Sequence, residues 1–164
     1  MLKTIETRYG GILFRSRIES RWAMFYDILD IPWEYEKEGY DIAGVWYLPD
    51  FWMPEQDCFI EIKGRIPTLK EEAVASTLAQ KSGKIVHVFY GSLPNVGWYA
   101  GWNIENKKKY GSFSFTPDIK RVEGVLWRLS PNKVEYEIGT FDLQHDSATD
   151  KLVHAYHEAR TARF

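Results

Sequence analysis

Apolar residues in the first half of the chain recur with the periods of helices and strands. Apolar positions three, four and seven apart predict a helix over residues 16–29, which Pro32 ends. Alternating apolar and polar residues predict a short half-buried strand at 33–36. Further strands are predicted near 45–52 and over 57–63, so that the three strands form a meander.

A crossover helix and another strand follow the meander. Thr68 and Glu71 match a capping box at the start of a helix over 69–81, which ends at Gly83. The apolar run at 85–90 is typical of an interior strand. A strand, a helix and a buried strand in this order predict a βαβ crossover with parallel strands. We therefore expect an α/β fold with a mixed central sheet flanked by helices.

The last third of the chain carries weaker signals. Apolar runs at 125–129 and 134–138 flank the turn sequence Ser-Pro-Asn-Lys and predict a β-hairpin. A final helix is predicted to start near Ser147. Its inner face would consist of Leu152, Tyr156 and Ala159.

Length and composition favour one compact domain. A chain of 164 residues can bury a real core, and no polar linker divides it, so residues 1–164 form one domain with a core at about 1–95 and an extension at about 96–164. No run of about 18 apolar residues occurs, which predicts a soluble, cytoplasmic protein without a membrane partner. The single Cys58 excludes an internal disulfide, and Cys and His nowhere fall at zinc-site spacing.

Charge is distributed unevenly, although the net charge is only -2. Residues 1–62 hold six Lys/Arg against twelve Asp/Glu, a net of -6, whereas residues 103–134 hold seven against three, a net of +4. One interpretation is an acidic, cation-binding half beside a surface that meets phosphates. The other is two ordinary solvated faces, and the charges alone leave both open.

The predicted strand at 57–63 carries charge in an apolar setting. Alternation sends Glu61 and Lys63 to the same side, roughly 7 Å apart along the strand. A short turn at 53–56 would fold the preceding run back and bring Asp50 to the same end of the sheet. A carboxylate removed from water without compensation is costly. An ion pair with Lys63 would offset that cost, and so would a divalent cation shared by both carboxylates.

A divalent cation shared by Asp50 and Glu61 would most readily be Mg²⁺. Two carboxylates and a neighbouring carbonyl oxygen match the ligand preference of Mg²⁺, for which Mn²⁺ would substitute. Lys63 would lie beside the ion, where it could orient a water or help to deprotonate it. Such a site fits phosphodiester hydrolysis, in which a metal neutralises developing charge and activates the nucleophile.

The spacing of these residues resembles a known nuclease signature. Pro49-Asp50, ten intervening residues and Glu61-Ile62-Lys63 are similar to the motif of the PD-(D/E)xK nuclease superfamily. The sequences YLPDFWMP and FIEIKG most resemble phage endonuclease I-type junction resolvases and the endonuclease subunits of some transposases. Members carry a helix before the meander, often with a glutamate facing the metal. Glu19 holds that position here.

The resemblance implies a restriction-endonuclease-like core and a Mg²⁺-dependent DNA endonuclease, with branched DNA as one substrate. Asp50, Glu61, the carbonyl of Ile62 and Glu19 would bind the ion, and Lys63 would position the attacking water. A homodimer is implied because relatives cut two strands as dimers. Two alternatives remain: a non-catalytic nucleic-acid binding or assembly module on the same scaffold, and an exonuclease or RNase with the same site.

Several candidate residues have a second, structural interpretation. Ser16 and Glu19 also match a capping box, which would make Glu19 a helix cap. Lys63 could serve only as the counter-ion of Glu61. Arg15, four residues before Glu19, would pair with Glu19 or contact a phosphate. The other basic candidates would contact the nucleic-acid backbone or remain solvated. They are Arg65, Lys107, Lys108, Lys109, Lys120 and Arg121.

Overall fold

A computed structural model of the chain describes residues 4–93, 110–123, 125–130, 133–138 and 150–164. The helices are α1 Arg17–Ile28, α2 Leu69–Ser82 and α3 Asp150–Thr161. The strands are β1 Thr7–Tyr9, β2 Ile12–Phe14, β3 Glu34–Tyr35, β4 Tyr40–Ile42, β5 Val45–Tyr47, β6 Phe51–Met53, β7 Cys58–Lys63, β8 Ile85–Gly91, β9 Tyr110–Phe115, β10 Arg121–Glu123, β11 Val125–Ser130 and β12 Lys133–Ile138.

Six of the strands form one mixed sheet in the order β10-β9-β8-β7-β6-β3. β7 and β8 are parallel and are joined through α2, which is the predicted crossover. Every other neighbouring pair in this sheet is antiparallel. The predicted α/β class, the mixed sheet and the β3-β6-β7 meander are therefore confirmed.

The two faces of the sheet bury two apolar clusters. On one face, Cys58, Ile60 and Ile62 of β7 pack with residues of α1 and α3. Aromatic rings connect these layers, since Phe25 lies 4.5 Å from Tyr156 between ring centroids. The opposite face carries the second cluster, where Phe59, Val86, Val88 and Phe113 pack with Ala75, Leu78 and Ala79 of α2. The predicted alternation along β7 is confirmed.

Local capping signals set the ends of the first two helices. The Ser16 side chain accepts a hydrogen bond from the Glu19 backbone N–H at the start of α1. α2 begins with a complete Thr68–Glu71 capping box and ends at Gly83, whose φ of 68° lies in the left-handed region that favours glycine. Both helices lie within a residue or two of their predicted bounds.

The predicted strand near 45–52 is wrong as a single element. It divides into β5, which pairs with β4 in a separate hairpin, and β6, which joins the central sheet. Pro49 lies in the break, and proline has no backbone N–H to contribute to a ladder. The division leaves Asp50 at the start of β6 rather than in mid-strand.

The C-terminal part contributes to the same sheet and core. The predicted hairpin is confirmed as β11 and β12, with Val125 opposite Ile138. β9 and β10 extend the central sheet, which the sequence did not predict. α3 starts at Asp150, while the predicted start near Ser147 lies outside the described residues. Tyr156 and Ala159 are buried as predicted, and the side chain of Leu152 is not among those described.

A second short hairpin, β1 and β2, was not predicted and precedes α1. It ends at Phe14, so that Arg15 and Ser16 form the whole connection to α1. Over the part of the chain that the structure describes, no helix is both long and apolar enough to cross a membrane.

Candidate metal centre

The register of β6 and β7 brings Asp50 beside Glu61. Phe51 lies opposite Ile60, so the next position in the same ladder sets Asp50 against Glu61. The backbone N–H of Asp50 lies 3.4 Å from Glu61 Oε1, and Asp50 Oδ2 accepts the Ile62 backbone N–H at 2.7 Å. Asp50 is 4% exposed and Glu61 is 1% exposed. Two acidic side chains are therefore buried together, as the sequence predicted.

Pro49 explains why the β6–β7 ladder stops at this end. Continuing the same register would set Pro49 opposite Ile62 in a hydrogen-bonded position. Proline has no N–H to donate to the Ile62 carbonyl, and the Asp50 side chain takes the Ile62 N–H instead. The N–H and C=O of one strand residue point to the same side, so the Ile62 carbonyl oxygen points to the side of β7 on which Asp50 lies. That oxygen is the backbone ligand predicted for the metal.

Glu61 is held by two further side chains on its own side of the sheet. Lys63 Nζ lies 3.0 Å from Glu61 Oε2, so the predicted proximity of Glu61 and Lys63 is confirmed. The Tyr47 hydroxyl from β5 donates a hydrogen bond to the same oxygen. Burial and the Glu61 carboxylate raise the pKa of Tyr47 well above its usual range, which keeps the phenol a donor. Both contacts use Oε2 and leave Oε1 toward Asp50.

Arg15 contacts the Asp50 oxygen that Ile62 does not use. Its Nη2 lies 2.8 Å from Asp50 Oδ1, and its Nε lies 2.7 Å from Glu36 Oε1. The backbone reinforces this arrangement, because the Glu36 N–H donates to the Asp50 carbonyl at 3.0 Å. The sequence had suggested Glu19 as the ion-pair partner of Arg15. The guanidinium instead reaches 35 residues along the chain.

Glu19 is buried, and three hydrogen-bond donors surround its carboxylate. Ser16 Oγ donates to Oε1 at 2.6 Å, and the Tyr35 hydroxyl donates to Oε2 at 2.6 Å. The backbone N–H of Arg15 also donates to Oε2, at 3.2 Å. Ser16 is the N-cap as predicted, whereas Glu19 fixes the chain before α1 through the Arg15 N–H rather than through the Ser16 N–H of a complete capping box. Its negative charge still acts on Asp50, where it raises the pKa.

The site holds more negative than positive charge. Four carboxylates, from Glu19, Glu36, Asp50 and Glu61, face two cations, Arg15 and Lys63, which gives a net charge of -2 when all are ionised. Burial and then the Glu61 carboxylate raise the pKa of Asp50 well above its usual range. Burial lowers the pKa of Lys63, but Glu61 and Asp50 outweigh it and raise the pKa overall. A divalent cation at Asp50 and Glu61 would favour the ionised form of both carboxylates.

The donor set fits Mg²⁺ through two carboxylates and one carbonyl. Mg²⁺ usually keeps several waters and uses one or two carboxylates, so Asp50, Glu61 and the Ile62 carbonyl are a sufficient set. Among the described residues, no three His, Cys, Asp or Glu side chains are grouped to hold a metal. The structure does not, therefore, bring Glu19 into a three-acid cluster with the other two.

The predicted nucleic-acid-binding residues fall in different places. Arg65 pairs with Glu71 at 2.9 Å in the α2 capping box, and Lys120 pairs with Asp118 at 2.8 Å on the surface. Arg121 lies 3.3 Å from Glu72 and 4.1 Å above the Phe113 ring centroid. Lys107, Lys108 and Lys109 lie outside the described residues. Of the members of this set that the structure describes, only Arg15 reaches the carboxylates of the site.

Three residues of the site were not predicted. Tyr47, Tyr35 and Glu36 each bind a predicted residue, and all three lie in or beside short strands that flank β6. The signal for Tyr47 was the turn Ala43-Gly44, because a two-residue hairpin there sets Tyr40 opposite Tyr47.

Comparisons with protein-family models, curated proteins and solved structures find no match to this chain.

Proposed function

We propose that this chain is a Mg²⁺-dependent DNA endonuclease with a restriction-endonuclease-like core of the PD-(D/E)xK type. The observation that carries the proposal is the burial of Asp50 and Glu61 side by side where the β6–β7 ladder ends, with Lys63 beside them. Buried like charges are costly and are otherwise rare in a protein of this size. A metal-dependent function gives them a reason to persist.

Each residue of the site has a separate role in this proposal. Asp50, Glu61 and the Ile62 carbonyl would hold the ion, which supplies charge neutralisation and a more acidic bound water. Lys63, fixed by Glu61, presents an ammonium group to the attacking water or to a non-bridging phosphate oxygen. Tyr47 fixes the Glu61 carboxylate in place. Glu19 supports the site through Arg15 and Tyr35, as a positioning residue rather than a ligand.

The cleavage assay uses covalently closed circular DNA, a four-way junction, linear duplex, single strand and RNA, each with and without Mg²⁺. We expect cleavage of the circle or the junction only with Mg²⁺, because an end-dependent enzyme cannot cut a circle. Asp50→Asn, Glu61→Gln and Lys63→Met should each reduce the rate by at least about a hundredfold. Hydrolysis by Asp50→Asn at the wild-type rate would refute the assignment.

Matched controls are available just before β7 and β8. Asp57 and Lys84 form a surface ion pair at 2.6 Å, with side chains 63% and 37% exposed. Asp57→Asn and Lys84→Met make the same chemical changes as the site variants without touching the buried carboxylates. Both controls should cleave at the wild-type rate. A loss equal to that of the site variants would point to a general effect of charge.

A non-catalytic nucleic-acid binding or assembly module is the second candidate. The observation in its favour is that the buried carboxylates already have protein partners in Arg15, Lys63, Tyr47 and Tyr35. Such a module would bind DNA without Mg²⁺ and would take up no ion at Asp50. A homodimer, branched DNA as the substrate and a cytoplasmic location remain predictions. Sedimentation of the purified protein with and without a junction tests the first two.

A further inference from the structure

The backbone of Arg15 is held by two hydrogen bonds, whereas its side chain is about half exposed. Its backbone N–H is held by Glu19 Oε2 at 3.2 Å and by the Tyr35 hydroxyl at 3.1 Å. Its side chain is 54% exposed and bridges two acids, Glu36 and Asp50. The start of the side chain is therefore positioned by the fold, while the guanidinium can leave its partners without any change in the backbone.

The guanidinium occupies an oxygen that a metal ion needs. Arg15 Nη2 lies 2.8 Å from Asp50 Oδ1, whereas Asp50 Oδ2 is engaged by the Ile62 N–H at 2.7 Å. Oδ1 is therefore the Asp50 oxygen that is not committed to the backbone. A guanidinium and a divalent cation at the same oxygen would repel each other as like charges. The two cannot share Asp50 at full strength.

Lys63, unlike Arg15, contacts a carboxylate oxygen that the metal ion does not need. Its side chain is 23% exposed, and its partner oxygen is Glu61 Oε2, which lies away from the Asp50 side. Lys63 can keep its ion pair when a cation binds Glu61 through Oε1. Arg15 holds a second acid, Glu36, through Nε, so its side chain retains an anchor when Nη2 leaves Asp50.

We propose that Arg15 is an exchangeable counter-ion, which neutralises Asp50 before metal binding and is displaced from Oδ1 by the ion. The proposal rests on the proposed metal site and adds how that site is regulated. Metal binding and Arg15–Asp50 pairing oppose each other, and the opposition is reciprocal. Displacement also frees Nη2 beside the bound ion, where it can contact a phosphate of the substrate.

The test is calorimetric titration with Mn²⁺, in the absence of DNA, so that it does not depend on cleavage. Arg15→Gln should bind Mn²⁺ at least about fivefold more tightly than the wild type, because the competing cation is gone. The matched control is Arg17→Gln. Arg17 is exposed in the first turn of α1, so its replacement removes the same charge two residues away. Its affinity should stay within about twofold of the wild type, since exposed charges are screened by salt.

The outcomes separate this proposal from the metal site itself. Mn²⁺ binding that is lost in Asp50→Asn but equally tight in Arg15→Gln and Arg17→Gln would overturn the exchange and leave the site standing. Absence of Mn²⁺ binding in every variant would overturn both. Binding by Arg15→Gln alone would support exchange most strongly.

A second variant covers the case in which Arg15→Gln does not fold. Arg15→Lys keeps the positive charge, but a single ammonium cannot bridge Glu36 and Asp50 as the planar guanidinium does. Its Mn²⁺ affinity should lie between those of the wild type and Arg15→Gln. An affinity at or below the wild-type value would overturn the exchange, because it would mean that loosening the Asp50 contact does not favour the ion.

Discussion

Removal of the Tyr47 hydroxyl tests the electrostatics of the site without reference to catalysis. Tyr47→Phe keeps the ring and deletes only the donor that faces the buried Glu61 carboxylate. Glu61 Oε2 then keeps one donor, Lys63, in a place that water reaches poorly. A hydrogen bond to a charged group contributes about 1.5–3 kcal/mol to stability, and its loss from a buried group lies in that range.

The expected effect is large enough to measure by thermal unfolding. For a chain of this size, each kcal/mol shifts Tm by about 2–4 °C, so Tyr47→Phe should lower Tm by about 3–12 °C. The matched control is Tyr40→Phe on the neighbouring strand. Tyr40 lies opposite Tyr47, and its hydroxyl bonds to Glu38 in an exposed position at 3.0 Å. That variant should change the free energy of unfolding by less than about 0.5 kcal/mol.

Calorimetry or circular dichroism at pH 7 records both transitions. Similar Tm values for Tyr47→Phe, Tyr40→Phe and the wild type would refute the reasoning, because Glu61 would then have no need of the phenol. A restored Tm in the double variant Tyr47→Phe, Glu61→Gln would support it further. The neutral amide no longer requires two donors at one oxygen.

Two further predictions concern buried charge. Lys63→Met should lower the free energy of unfolding by about 3 kcal/mol, because Glu61 loses its cation while it stays buried. Lys84→Met, at the surface pair with Asp57, should lower it by less than about 1 kcal/mol. Urea denaturation measures both variants, and equal losses would contradict a special role for the buried pair. Burial lowers the pKa of His87 to about 3, below its ordinary value of 6.5, so the unfolded chain takes up a proton that the folded chain does not. This stability is complete above pH 6.5 and is lost as the pH falls toward 3, with about 2 kcal/mol lost by pH 5. His87→Gln should lack that part of the pH dependence, and an unchanged slope between pH 7 and pH 5 would contradict the burial of a neutral imidazole.

The helices could be predicted closely because their signals are local. The Thr68–Glu71 capping box and Gly83 define α2 within a few residues of each end. The division of β5 from β6 was missed because apolar and aromatic residues on both sides of Pro49-Asp50 suggest one continuous strand, although proline has no N–H for a ladder. The turn at Ala43-Gly44 carries only half of a hairpin signal, since Gly44 favours a positive φ but Ala43 takes a φ of 53°, which alanine rarely does.

The site was only partly predictable for a different reason. Asp50, Glu61 and Lys63 stand out from the sequence because charge in an apolar strand needs compensation. The role of Arg15 does not, because its contact with Asp50 depends on how β2 meets the central sheet. The same holds for Tyr35, which meets Glu19 only after β3 has joined β6. The four-residue spacing favoured Glu19 as the partner of Arg15, whereas tertiary packing supplied Asp50 and Glu36.

The most direct measurement is anomalous diffraction from crystals soaked in Mn²⁺. A peak bound by Asp50 Oδ1, Glu61 Oε1 and the Ile62 carbonyl oxygen, with the Arg15 guanidinium withdrawn from Asp50, is the predicted result. No peak at these oxygens, in crystals of protein that cleaves DNA with Mn²⁺, would contradict the metal site.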